Sequence, residues 1–149
     1  MALTDRINED IKTAMRAKDR TTLEALRAIK SALLLEATKT GSGDSIPDDV
    51  GNKLLQKLHK QRVESAEIYK QQERADLAEV EMEQAAVIEK YLPEALSADE
   101  VRKIVLGIIE QSGAATLADM GKVMGMASKE MAGRADGKLI ADIVKEELS

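Results

Sequence analysis

The sequence predicts an all-α fold, and three observations lead there. Apolar residues recur at spacings of three and four along nearly the whole chain, the period of a helix with one buried face. Phe and Trp are missing and Tyr69 and Tyr91 are the only aromatics, so the core falls to Leu, Ile, Val, Met and Ala. That set suits packed helices better than a sheet, which draws on aromatic and β-branched side chains. Finally, Gly, Pro, Asp and Ser gather between the periodic stretches and punctuate them.

Seven helices are expected. Thr4 is placed to cap a first helix whose apolar face is Leu3, Ile7, Ile11, Ala14 and Met15. KDRTT separates it from a second, with Leu23, Leu26, Ile29, Leu33 and Ala37 in line. TKTGSGDSIPDD, residues 38 to 49, reads as a loop, with Pro47 placed at the first turn of the next helix. That third helix is long and aligns Val50, Leu54, Leu58, Gln61, Ser65 and Tyr69. A fourth, after QQERAD, aligns Leu77, Val80, Gln84, Val87 and Tyr91.

Pro93 in YLPEALS stops the fourth helix, because proline cannot continue one and restricts Leu92 before it. Ser97 and Glu100 form a capping-box pattern opening a fifth helix with Val101, Ile104, Val105, Ile108 and Ile109. Gly113 ends it. Thr116 and Asp119 suggest a further cap, Gly133 a stop, and Asp136 the cap of a last helix carrying Leu139, Ile140, Ile143, Val144 and Leu148. The expected organisation is an N-terminal four-helix domain over residues 1–92 and a C-terminal three-helix tail over 97–149, joined by a Pro-containing connector.

Composition narrows the function classes. Of 149 residues, 44% are hydrophobic and 33% charged, the balance of a globular rather than a disordered chain. Without cysteine there are no disulfides, thiol nucleophiles or thiolate metal sites. MALTDRINED lacks the basic and apolar regions of a secretory signal, and no apolar run approaches the ~20 residues of a membrane span. The expectation is a cytoplasmic monomer with no membrane partner. A net charge of −5 gives no overall basic footprint, so DNA is not an expected partner and any RNA contact must come from a local patch.

Four of the nine glycines lie in ADMGKVMGMASKEMAGRADGKL, residues 118 to 139. Leu117, Met120, Met124, Ala127 and Met131 form a core-type stripe there. Gly121, Gly125, Ser128 and Ala132 form a second stripe of small residues, which admits close approach of another backbone, most simply a neighbouring helix. Lys122 and Lys129 make a basic edge beside it. Gly133 and Gly137 bracket the junction of two helices, where unpaired N–H groups near Arg134 and Lys138 could hold a phosphate. GKVMG lacks the Gly-Lys-Ser/Thr ending of a P-loop.

No catalytic constellation emerges. His59 is the one histidine, among Lys57, Lys60 and Arg62, with no second His or Cys to complete a metal site. Glu79, Glu81 and Glu83 spread around a helix rather than share a face. Lys53, Lys57 and Lys60 run along one helix face, and Arg27 and Lys30 border another, with Glu24 and Glu36 as possible partners. The expectation is therefore no catalytic residue, no metal and no cofactor.

YLPEALS, ADMGKVMG and GRADGKLIADIVKEEL, in that order and spacing, closely resemble the GatB/YqeY family. AKDRTTLEALRAIKSALLLE and KQRVESAEIYKQQERADLAEVE are similar to its free-standing YqeY-like members, so the resemblance covers essentially the whole chain. One departure is Glu73, where the family often has glycine. The resemblance implies kinship with the C-terminal helical and tail region of the aspartyl/glutamyl-tRNA amidotransferase B subunit. That enzyme is a carbon–nitrogen ligase with glutamine as amide donor. The catalytic cradle of that subunit has no counterpart here, so the implied role is holding tRNA, or serving a tRNA-handling protein, without catalysis by this chain alone. Carried over residue by residue, the tail motif falls on Gly121, Lys122, Gly125, Gly133, Arg134, Asp136 and Gly137. Lys129 and Lys138 join these as candidate RNA contacts through their position beside the motif. A protein–protein adaptor with no nucleic-acid role is the competing expectation.

Overall fold

A computed structural model describes residues 2–41 and 46–149, and among these every regular element is helical. In chain order they are α1 (Leu3–Ala17), α2 (Arg20–Thr40), α3 (Asp48–Gln71), α4 (Ala75–Glu89), α5 (Ala98–Ser112), a 3₁₀ turn (Leu117–Asp119), α6 (Met120–Glu130) and α7 (Gly137–Leu148). The all-α expectation is borne out. The chain divides into two compact units, Met1–Leu92 and Pro93–Ser149. Part of the loop expected over 38–49, residues 42–45, lies outside the described residues, while Thr38, Lys39 and Thr40 belong to α2.

In the N-terminal unit, Ile7, Leu26, Ile29, Leu33, Leu55 and Ile88 anchor the core. At about 25 cal/mol per Å2 of apolar surface removed from water, such side chains supply most of the drive for folding. Polar links also tie the helices of this unit together. Arg62 of α3 donates from Nε to Gln84 of α4 at 3.2 Å, and Gln84 donates in turn to Glu24 of α2 at 3.3 Å. Glu24 is thus engaged with Gln84 rather than with Arg27 or Lys30. The Tyr91 hydroxyl donates to the Asp10 carboxylate of α1, and the Arg6 guanidinium stands 5.1 Å from the Tyr91 ring centre.

Several sequence expectations shift by a fraction of a turn. Ala2, in extended conformation, caps α1 with no side-chain bond, so Thr4 is inside the helix rather than at its cap. Met15 is 55% exposed, because α1 ends two residues later beside the Lys18 turn. On α3 the fully buried positions are Gly51, Leu55 and Ala66, one residue on from the expected line. On α4 they are Ala78, Ala85, Val87 and Ile88, and Val80 is exposed. The cause on α4 is that it packs on both α2 and α3, so a single stripe cannot describe its buried surface.

In the C-terminal unit the expected caps form. Ser97 Oγ accepts from the Glu100 N–H at 3.2 Å, and the Glu100 carboxylate accepts from the Ser97 N–H at 3.3 Å, a closed capping box. Gly113 ends α5 with φ of +72°, a left-handed backbone that glycine adopts without a Cβ clash. Val101, Val105, Val123, Ala127, Met131 and Val144 make the centre of this second core. Arg102 of α5 bonds Glu146 at 2.8 Å and also Glu147, tying α5 to the end of α7.

Candidate nucleic-acid interface

The segment from 113 to 139 begins with a turn organised by one carboxylate. Asp119 accepts from the main-chain N–H groups of Ala115, at 2.9 Å, and Thr116, at 3.3 Å. Those two bonds, helped by Lys122 nearby, hold its carboxyl below the ordinary aspartate range. The 3₁₀ turn, with Leu117 exposed, then passes into α6, which buries Val123 and Ala127 and leaves Met126 exposed.

The stripe of small residues does not behave as one surface. Gly121 and Gly125 are exposed, and a Cβ built on either would meet nothing within 4 Å. Ser128 is half-buried and Ala132 is buried at 7% exposure. The expectation that this stripe packs on a neighbouring helix is therefore corrected for its two glycines. Their main chain faces solvent because the helix turns Val123 and Ala127, not Gly121 and Gly125, toward α5 and α7. Lys122 and Lys129 are exposed beside them and form no ion pair among the described residues.

The GRADG segment is built differently. Gly133 is buried with φ of +79°, the conformation that lets the chain reverse after α6. Ala132 and Ala135 are buried on either side. The Arg134 carbonyl accepts from the Leu96 N–H at 2.7 Å, and its side-chain Nε donates to the Glu94 carbonyl at 3.3 Å. Arg134 is thus tied into its own unit. Asp136 caps α7 by accepting from the Lys138 N–H at 3.4 Å, and Gly137 and Lys138 are exposed. The structure accordingly sets the candidate residues in two groups: Gly121, Lys122, Gly125 and Lys129 along the solvent side of α6, and Gly133, Arg134, Asp136, Gly137 and Lys138 in the turn that opens α7.

Among the described residues no group of three or more His, Cys, Asp or Glu side chains is placed to hold a metal ion. His59 Nε2 lies 4.0 Å from the Glu89 carboxylate across α3 and α4. Helical periodicity places Tyr91 on an apolar face and gives no sign of the Arg6–Tyr91–Asp10 cluster. The partners come from α1, so no local spacing announces them.

The geometry defines a small helical protein with a bare, basic helix edge on its C-terminal unit and no metal-binding cluster among the described residues. The family model described as Yqey-like protein matches residues 4–148, and the chain belongs to the YqeY-like family. Its relatives include proteins named "Altered inheritance of mitochondria protein 41, mitochondrial". The one from Meyerozyma guilliermondii is 37% identical over 130 residues, covering 80% of this chain and 64% of that protein. Its counterpart in Clavispora lusitaniae is 35% identical over 91 residues, 61% of this chain and 52% of the relative. The Pyrenophora tritici-repentis protein is 30% identical over 146 residues, 95% of this chain and 78% of its own length. The chain therefore spans less than two thirds of the first two relatives.

The expectation of a cytoplasmic protein is overturned by these relatives, all three of which are named as mitochondrial. The physical reason is that compartment is set by targeting segments read by import machinery, and the composition of a folded body does not encode it.

Proposed function

We propose that the protein is a tRNA-binding accessory module that acts through its C-terminal unit and is not catalytic by itself. One observation carries the reading: the main chain of α6 at Gly121 and Gly125 lies open to solvent beside the exposed Lys122 and Lys129. Without a Cβ at those positions a sugar–phosphate backbone can approach the helix closely, while the two ammonium groups neutralise phosphates and release counterions. With only two tyrosines, base stacking is a poor route, so recognition runs through folded shape and backbone. The resemblance of this segment to the tail of the tRNA-dependent amidotransferase B subunit supports the same reading. No ligase activity is proposed for this chain alone.

The test is a titration of total tRNA at low and physiological salt, comparing wild type with Lys122→Glu/Lys129→Glu. Both lysines are exposed, so the exchange leaves the core untouched. Binding that falls steeply with salt, with a slope reduced by about 1–2 in the double variant, supports the proposal. Absence of binding at low salt, where phosphate contacts are strongest, sinks it.

A second reading is a protein–protein adaptor with no nucleic-acid role. The exposure of Leu117 and Met126 in the same segment favours it, since apolar side chains there offer contact area to a partner. Recovery of a stoichiometric protein partner from nuclease-treated extract, lost in Leu117→Lys/Met126→Lys, would select this alternative.

A further inference from the structure

The N-terminal unit contains a cavity of about 280 Å3 that plays no part in the proposed tRNA contact. It is bounded by α1, α2, the start of α3 and Tyr91 in the segment after α4, and its lining includes Leu3, Arg6, Leu33, Asp48 and Gly51. That volume lies just below the roughly 300–1,000 Å3 of pockets for drug-sized ligands, so it suits a metabolite-sized one. Gly51 has a steric reason to be there. A Cβ at this position would meet Leu3 Cδ2 at 3.2 Å, tighter than side chains ordinarily allow.

Two lining residues carry opposite charge. Arg6 is set over the Tyr91 ring, whose hydroxyl is anchored by Asp10, so the guanidinium is oriented before anything binds. Asp48 stands in the first turn of α3, behind Pro47, which offers the helix no side-chain cap. Arg6 and Asp48 form no ion pair with each other or with any other described residue. Both side chains are exposed, and two opposite charges on one small cavity, unpaired among the described residues and with Leu3 and Leu33 between the helices, match a molecule that carries both charges itself.

We propose that this cavity binds a small zwitterion of the α-amino-acid type. Its carboxylate pairs with Arg6, its ammonium with Asp48, and its short apolar side chain lies against Leu3 and Leu33. The discrimination comes from the number of contacts: a ligand with one charge makes only one of the two ion pairs and gains only part of the binding energy. Tyr91 enters as the platform that orients Arg6, not as a ligand contact. The site belongs to a different unit from the tRNA surface and does not depend on that assignment.

The experiment tracks main-chain amide resonances of the full chain during titration with L-norvaline, with n-butylamine and with pentanoate. The last two are norvaline without its carboxylate and without its ammonium. Alanine and leucine complete the series of zwitterions. The expected result is saturable shifts at Gly51 and Asn52 with a zwitterion and affinities lower by about tenfold or more for each single-charge probe. Arg6→Gln and Asp48→Asn should each weaken zwitterion binding by a similar factor. No saturable shift with any of the three zwitterions overturns the proposal. Equal affinity for pentanoate and norvaline also overturns it, since that marks a simple anion site. Should either variant fail to fold, the ligand series on the wild-type protein decides the matter alone.

Discussion

The Leu96 N–H donates to the Arg134 carbonyl at 2.7 Å, while the Arg134 side chain reaches back to the Glu94 carbonyl at 3.3 Å. The residue therefore clasps the start of its unit to the turn before α7. Arg134→Ala keeps the main-chain bond and loses the side-chain one, a cost of up to about 1 kcal/mol in urea unfolding. Its effect on tRNA binding should be smaller than that of Lys122→Glu/Lys129→Glu. A larger effect would transfer the main phosphate contact from α6 to the GRADG turn.

Gly125 separates stability from binding. It sits within α6 with open space where a Cβ would be, so Gly125→Ala should stabilise the protein by about 1 kcal/mol through helix propensity. Gly125→Leu should leave the fold intact and weaken tRNA binding, because bulk now covers the bare main chain. Chemical unfolding and tRNA titration of both variants read this out. Unchanged binding in Gly125→Leu would remove close backbone approach from the mechanism.

Glu73 carries a left-handed backbone, φ +60°, in the turn between α3 and α4. For a residue with a Cβ this conformation costs on the order of 1 kcal/mol, which glycine avoids. Glu73→Gly should raise stability by about that amount less the extra freedom glycine gains in the unfolded chain. A loss of stability on denaturant unfolding would show that the Glu73 side chain offsets its strain.

Acid should act through Asp19 and Asp119. The Thr22 hydroxyl and N–H hold the Asp19 carboxyl below its ordinary value of 3.8, as the Ala115 and Thr116 N–H groups do for Asp119. A depressed folded-state value means both carboxylates contribute stability that is complete above pH 3.8 and lost as pH falls through the depressed range. Asp19→Asn and Asp119→Asn should each lower stability near neutrality and flatten its decline in acid. Stability–pH curves parallel to wild type would count against this.

Much of the helical framework is legible in the chain because its signals are local. The Ser97–Glu100 box, the Gly113 stop and the Asp136 cap depend on residues two to four apart, and all three form as expected. Faces are harder to read where burial is set by more than one neighbour. On α4, packing against α2 and α3 together selects Ala78 and Ala85 over Leu77 and Val80. The exposure of Gly121 and Gly125 is also hidden, because small residues fit both a tight seam and an open edge, and only tertiary context tells them apart. The Arg6, Asp48 and Tyr91 cavity draws on three distant segments and has no sequence period to reveal it.

With no tryptophan or phenylalanine, the protein's near-ultraviolet absorbance comes from Tyr69 and Tyr91 alone. Burial and the bond to Asp10 raise the Tyr91 hydroxyl well above its ordinary value of 10.0. In an alkaline titration Tyr91 should therefore stay dark after ordinary phenols have ionised. The stability it contributes is complete below pH 10.0 and is lost as pH rises through its raised range. Late tyrosinate absorbance would then time the opening of the α1–Tyr91 contact. That opening can be followed by light alone, with no label added.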